Sequence, residues 1–395
     1  MTVLFVYPNE ILPERGGVQR VTSVLADYFE ANGVDVFYLS FNRTSCEGTV
    51  SHRQYYFPNN EVTCEGNTSF FLDFLKLNDI EIVINQAGID PHVSRLVYVA
   101  KNINVKIISV INNSIMSGII NFSSLYKRRA RRYGLGFLLP LTDISFVNFW
   151  LRYLYKLKYR IHYKELCLIS DKVVILSDSF REELSFMVGG TCRDTVLTMP
   201  NPLAFSPKAI NLKDKENELL FVGRVNCPFK QVDVLLKIWS SLHERFPDWT
   251  LKIVGGDGGG ELTSLSNTLG LKNVSFEGFQ DPTPFYSSAS IFCLTSSSES
   301  FGLVLIEAMR FGVVPFAFSS YDSVTDIIDS RNVGVLIEPF DCKQYSAELS
   351  KLMLDRLRRE EMAIMAQQKS FEYSVDVVGG KWLNLFTDLG VLNRS

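Results

Sequence analysis

The chain has no C-x-x-C pair, and its seven cysteines stand singly at positions 46, 64, 167, 192, 227, 293 and 342. Their odd number and scatter argue against a disulfide framework and a thiolate zinc site, and suit a reducing compartment. Histidine is also scarce, with four residues at 52, 92, 162 and 243. Neither sign of charge dominates: 40 basic against 43 acidic side chains leave a net −3, so the molecule as a whole is no polyanion binder. No charge-free apolar run reaches the roughly 18 residues of a membrane-spanning helix. The opening Met1-Thr2-Val3-Leu4-Phe5-Val6-Tyr7-Pro8 lacks a basic leader and a long apolar stretch, so it is expected to be a buried strand and not a signal peptide. These absences together point to a cytoplasmic protein.

What is present is an alternation. Short apolar runs at Val3–Val6, Val36–Leu39, Ile82–Ile84, Lys106–Val110 and Val173–Leu176 are separated by longer helix-like stretches. The first of those stretches, about Gln19 to Ala31, ends at Gly33, a common helix-terminating residue. A second set follows Asn201-Pro202: Leu219–Val222, Thr250–Val254, Val274–Phe276, Ile291–Leu294, Val313–Phe318 and Gly334–Ile337. Apolar strands alternating with helices predict parallel sheets flanked by helices. At 395 residues, 46% hydrophobic and 21% charged, the chain has room for two globular domains. Pro200, Pro202 and the charged stretch Lys213 to Glu218 place the boundary near 200 to 216. Trp382-Leu383-Asn384-Leu385-Phe386 reads as a last amphipathic helix.

The most informative segment is Ser298-Glu299-Ser300-Phe301-Gly302-Leu303-Val304-Leu305-Ile306-Glu307. Glu299 lies in a Ser/Gly-rich loop and Glu307 inside a helix. Between them Phe301-Gly302-Leu303 would start that helix, where free backbone N–H groups attract anions. At about 1.5 Å of rise per residue the two carboxylates could stand roughly 10 Å apart, a span that suits a sugar, a diphosphate and a ribose. Spacing alone fits two solvated glutamates equally well. Upstream, Phe221-Val222-Gly223-Arg224-Val225 ends a strand, and Lys230 follows. An Arg grips two phosphate oxygens at once and a Lys acts as a point charge, a pair suited to a departing diphosphate. Gly255 to Gly260 follows another strand and is either a ligand border or a plain turn.

From Asn121 to Arg160 there are nine basic residues and one acid, Asp143. Lys127, Arg128, Arg129, Arg131 and Arg132 precede Phe146, Phe149, Trp150, Tyr153 and Tyr155, which mix with further Lys and Arg. Interleaved basic and aromatic residues suit an anionic membrane surface. A solvated helix with a buried aromatic face and a phosphate-neutralising nucleic-acid surface are the alternatives.

The paired glutamates have flanks of their own: Gly278-Phe279 and Phe285 to Ser296 before them, Arg310-Phe311-Gly312-Val313-Val314-Pro315 after. With Gly223-Arg224 and Lys230 ahead in the same order, the second half resembles family-4 retaining glycosyltransferases, the glycosyl transferases group 1. The resemblance is strong over residues 216 to 340. The first half matches only at landmarks: Gly16-Gly17 between first strand and first helix, Ser177-Asp178-Ser179-Phe180, and Asn201-Pro202.

The resemblance implies two Rossmann-like domains facing a cleft (the GT-B fold). Residues 1–205 would be the acceptor side, with the basic, aromatic region 121–160 within it. Residues 206–375 would bind the donor, and 376–395 would be a helix crossing back onto the first domain. It implies a nucleotide-diphosphate sugar, UDP- or GDP-linked, a glycan or lipid-linked acceptor, and neither metal nor nucleic acid. Glu299 would orient the donor sugar, and Arg224 and Lys230 would neutralise the diphosphate. Gly17, Gly223, Phe279, Ser300 and the backbone of Phe301, Gly302 and Leu303 would line the donor, and Glu307 would take the ribose hydroxyls. Where many members of that family carry a His, this chain has Asn112, which hydrogen-bonds without titrating and is a candidate sugar contact. His92 is the only His with a plausible place near such a site. A lipid-linked acceptor would favour the membrane reading of the basic region and a peripheral location in polysaccharide synthesis. The missing His leaves a second class open, a non-catalytic nucleotide- or glycan-binding protein of the same fold. A nucleotide-sugar epimerase would need acid/base groups not found here.

Overall fold

The computed structural model describes residues 1–43, 53–116, 145–190, 194–203, 212–256 and 260–392. The chain divides into two compact units. The first comprises Met1–Met116, Ser145–Ala204 and Tyr373–Ser395, and the second contains Phe205–Glu372.

The first unit is built on strands β1 (Thr2–Asn9), β2 (Asp35–Asn42), β3 (Arg53–Tyr56), β4 (Ile82–Asn85), β5 (Lys106–Ile111), β6 (Lys172–Ile175) and β7 (Val196–Thr198). They pair in parallel in the order β3-β2-β1-β4-β5-β6-β7. A parallel sheet is covered on both faces, so its inner strands are apolar throughout and do not alternate. All four residues of β4 are buried, and so are five of the six in β5. One face packs on Phe71, Phe74, Leu75, Val93 and Val97 from the helices Glu65–Leu77 and Pro91–Tyr98. On helix Gly17–Ala31, Phe29 stacks on Phe5 of β1, with centroids 6.1 Å apart.

The last helix, Val375–Asp388, joins this first unit through Phe386 and Trp382, whose rings lie 5.1 and 6.3 Å from that of Phe29. It thus crosses back onto the N-terminal half. Ser374 begins it by accepting from Val377 N at 3.4 Å, and the Leu203 N–H ties its approach to Tyr373 O at 2.7 Å.

The second unit is built on β8 (Glu218–Val222), β9 (Thr250–Val254), β10 (Val274–Gly278), β11 (Ile291–Leu294), β12 (Val314–Phe318) and β13 (Val335–Ile337). Their order is β10-β9-β8-β11-β12-β13, again parallel. Every residue of β8, β11 and β12 is buried. Both sheets reverse strand order once, between β1 and β4 and between β8 and β11, as Rossmann-like sheets do.

Two strands escape the sequence reading, β3 and β7. Both are sheet edges. An edge strand is short and need not be apolar, and Arg53-Gln54-Tyr55-Tyr56 and Val196-Leu197-Thr198 give no long hydrophobic run. Asp178, the N-cap residue of the helix Ser179–Val188, makes no cap bond with its side chain. It instead accepts from the Thr198 hydroxyl at 2.5 Å and pairs with Arg181 at 3.5 Å, while Ser177 Oγ takes the Ser179 N–H at 3.3 Å.

Phe386 is fully buried, so Phe386→Ala opens a cavity in the first unit. It is expected to lower stability by about 3 kcal/mol, read as an earlier unfolding transition in urea followed by circular dichroism.

Candidate functional site

In open parallel sheets, ligands bind outside the carboxyl ends of the strands where the strand order reverses, because loops diverge there and leave a crevice. In the second unit that point is the carboxyl end of β8 and β11. The segment after β8 runs Gly223-Arg224 and on to a 3-10 turn, Pro228–Lys230, then Gln231 at φ 47° and the helix Val232–Ser240. The segment after β11 is Thr295-Ser296-Ser297, all buried, then Glu299 and the helix Leu303–Arg310.

Hydrogen bonds fasten these two segments together. The Thr295 hydroxyl donates to Lys230 O at 3.2 Å and Gln231 O at 3.0 Å, and Ser297 N donates to Phe229 O at 2.7 Å. Residues far apart in sequence are thereby held side by side. Lys230 Nζ lies 2.6 Å from Glu299 Oε1, and each side chain is 12% exposed. Ser296 Oγ donates to the same oxygen at 2.6 Å. So two of the residues singled out in the sequence meet directly, with Ser296 as a third partner that the motif did not reveal. An ammonium has three N–H donors, and this contact uses one of them.

The other members of the motif surround this pair in different ways. Arg224 is exposed and has no hydrogen-bond partner for its side chain among the described residues. Gly302 caps the helix Leu303–Arg310 at φ 96°, in the left-handed region, and a Cβ there would lie 2.7 Å from the Tyr321 hydroxyl oxygen. Phe301 is buried, and its carbonyl accepts from the Ser323 hydroxyl at 3.1 Å. Ser300 is exposed. Glu307 lies on the helix, only 3% exposed, and accepts from the Tyr286 hydroxyl at 2.9 Å. It is a buried, oriented carboxylate and not the solvated one that spacing alone allowed.

Phe279 follows β10 and is 84% exposed. The neighbouring loops after β8, β9 and β10 are joined by backbone bonds: Gly223 N to Val254 O at 3.0 Å and Gly255 N to Gly278 O at 2.7 Å. Gly255 sits at φ 141°, and a Cβ on it would lie 1.8 Å from Gly223 O. No other residue permits that approach. The rest of the glycine run, 257–259, lies outside the described residues.

In the first unit, Gly17 opens the helix Gly17–Ala31, and Gly16, its N-cap, has extended backbone at φ 171°. Asn112 follows β5 and is buried, and its amide donates to Gln86 O at 2.8 Å and Gln86 Oε1 at 2.9 Å. Both of its N–H donors are committed inside the protein. His92 is exposed at the start of Pro91–Tyr98. The buried histidine near the end of β4 is instead His162, whose Nε2 lies 2.9 Å from Gly88 O. Burial pushes its pKa down. Nothing local in the sequence marks His162, since only the fold brings its helix, Ser145–Ile169, to Gly88.

Lys127, Arg128, Arg129, Arg131 and Arg132 lie outside the described residues. The helix Ser145–Ile169, which follows them, carries exposed Phe149, Trp150, Tyr153, Leu154, Leu157 and Ile161. Among the described residues no helix is long and apolar enough to cross a membrane, and no group of three or more His, Cys, Asp or Glu could hold a metal.

Residues 204–369 match the family model described as glycosyl transferases group 1. The chain carries a glycosyl transferases group 1 domain. An uncharacterized glycosyltransferase of Haemophilus influenzae is 29% identical over 215 residues, 54% of this chain and 60% of that protein. A Campylobacter jejuni α-1,4-N-acetyl-D-galactosaminyltransferase, named for a diNAcBac-PP-undecaprenol glycan, is 28% identical over 179 residues, 45% of this chain and 49% of that protein. The chain thus spans less than two thirds of either relative's length. Solved glycosyltransferases share the two-sheet GT-B fold over nearly the whole chain. Anabaena Alr3699/HepE, solved in complex with UDP and glucose, aligns with TM-score 0.71 at 15% identity, covering 98% of this chain and 100% of that one.

With its φ of 96° and the Tyr321 hydroxyl 2.7 Å from any added Cβ, Gly302→Ala is strained twice. It is expected to destabilise the second unit by roughly 1–3 kcal/mol, seen as a lower melting temperature by calorimetry.

Proposed function

We propose that this protein is a retaining, metal-independent glycosyltransferase. It moves a sugar from a UDP- or GDP-sugar to a hydroxyl of a glycan or lipid-linked acceptor, in the assembly of a bacterial surface polysaccharide. The observation that carries the reading is the Lys230–Glu299 pair at the carboxyl end of β8 and β11, beside the helix start at Gly302. Glu299 orients the donor sugar through its hydroxyls. Lys230 keeps two N–H groups for phosphate oxygens while it holds Glu299, and the exposed Arg224 adds a bidentate grip. The helix start supplies backbone N–H groups to the same diphosphate. Gly223, Ser300, Phe301 and Leu303 border the donor, and Phe279 offers an exposed ring to the base. Glu307, oriented by Tyr286, takes the ribose. In the first unit Asn112, whose N–H groups serve Gln86, has its carbonyl oxygen to offer a sugar hydroxyl.

In the reaction the bond from the anomeric carbon to phosphate breaks. The acceptor oxygen bonds that carbon on the same face, and the leaving phosphate takes the acceptor proton. Charge grows on the diphosphate as the bond breaks, so cations fixed beforehand lower the barrier without a separate base. UDP and glucose in the Anabaena protein, and the undecaprenol-linked glycan in the Campylobacter enzyme's name, support this choice of donor and acceptor.

A lipid-linked acceptor also accounts for the exposed helix face. Trp150, Tyr153, Leu157 and Ile161 recur at spacings of three and four, flanked by exposed Arg152, Lys158 and Arg160. With Lys127, Arg128, Arg129, Arg131 and Arg132, this face docks the protein peripherally on the cytoplasmic side of an anionic membrane.

A thermal-shift panel of UDP-, GDP- and ADP-sugars tests the donor, followed by hydrolysis of whichever sugar stabilises the chain. Lys230→Ala is expected to lower that hydrolysis about 100-fold, and a Lys230→Ala enzyme as fast as wild type would remove the mechanism. Binding without turnover would favour a sensing role instead. Changing Arg128, Arg129, Arg131 and Arg132 to Glu is expected to release the protein from phosphatidylglycerol vesicles, and unchanged co-sedimentation would refute the docking face.

A further inference from the structure

The loop after β12 meets the Glu299 loop in two places. Ser320 Oγ donates to Ser296 O at 2.5 Å, and Ser323 Oγ to Phe301 O at 3.1 Å. Between these two serines stands Tyr321, 7% exposed, with its hydroxyl buried and without a partner among the described residues. Such a hydroxyl is costly, since it has given up water and gained nothing in return. It abuts Gly302, three residues beyond Glu299. Burial, and then the negative charge of Glu299, raise its pKa well above that of an ordinary tyrosine, so it stays protonated and keeps a proton to donate. Meanwhile the partners of Glu299 among the described residues, Lys230 and Ser296, bind the same oxygen, Oε1. Among the described residues, then, the Tyr321 hydroxyl has no acceptor and Glu299 Oε2 has no donor, and Tyr321 packs on Gly302 in the loop that carries Glu299.

Resting on the reading of the site given above, we propose that Tyr321 is a positioning residue for Glu299 in the donor-loaded state. As phosphate oxygens load the Lys230 ammonium, its hold on the carboxylate weakens. The Tyr321 hydroxyl then donates to Glu299, keeping it oriented and compensated. The hydroxyl is itself shut off from solvent, so it acts through Glu299 and does not touch the donor.

Removing an idle buried hydroxyl stabilises a protein, whereas removing a working one weakens the ligand-bound state. The test is Tyr321→Phe, with UDP and GDP each titrated by calorimetry and the ligand-free melting temperature recorded. The expected result is an equal or higher melting temperature, together with about 10-fold weaker affinity for whichever nucleotide binds wild type. In a Glu299→Ala background Tyr321→Phe is expected to change that affinity less than twofold, because no carboxylate then needs the donor. Unchanged affinity in the single variant, or the same loss in both backgrounds, overturns the proposal. Lys230→Ala separates the two layers: if neither UDP nor GDP binds wild type, or Lys230→Ala leaves affinity unaltered, the reading of the site fails and this inference fails with it.

Discussion

The close pairing of Lys230 with Glu299 organises the second unit's carboxyl edge. At 2.6 Å and 12% exposure the two charges are only weakly screened. A pair this buried is a poor source of stability, because desolvating both ions offsets most of their attraction. The exposed helical pair Arg356–Glu360, with Arg356 70% exposed, is of a different kind and contributes about 1 kcal/mol at most. The hydroxyls of Thr295 and Ser296 and the backbone of Ser297 fix the geometry of the Lys230–Glu299 pair before any ligand arrives.

That pre-organisation is bought with backbone that only glycine can supply. Gly255 lets the loops after β8 and β9 touch, and Gly302 turns the chain into its helix against the Tyr321 ring. The Tyr321 hydroxyl, unpartnered among the described residues, and the buried Glu307 continue the theme: polar groups are set in position near the helix start. The first unit follows the same logic with different chemistry. There Asn112 and Gln86 lock each other at the ends of β5 and β4.

Much of this was legible in the chain. The central strands were read to within a few residues, because a strand buried on both faces must be apolar along its length. Thr250–Val254 and Ile291–Leu294 match their strands end to end. Of the four edge strands, β10 and β13 were read, whereas β3 and β7 were not, since neither Arg53-Gln54-Tyr55-Tyr56 nor Val196-Leu197-Thr198 gives a long hydrophobic run. The helix start at Leu303 was readable from Gly302. The direct contact of Lys230 with Glu299 was not, for it depends on a hydrogen bond from Thr295 to the backbone of Lys230, and backbone partners leave no mark in side-chain patterns. His162 and Tyr321 were invisible for the same reason: each is important through what the fold sets beside it.

The sequence by itself determined the class of fold, the reversal-point motif and the inventory of charges available to it. Periodicity and residue chemistry are local properties, and they act over the length of one strand or one helix turn. Tertiary structure alone decided which charges meet, which are buried and which polar groups are left waiting. Lys230 and Glu299 are 69 residues apart in the chain, and Asn112 and Gln86 are 26 apart. Contacts of that range are set by how strands order themselves in a sheet, a choice made by the packing of the whole unit.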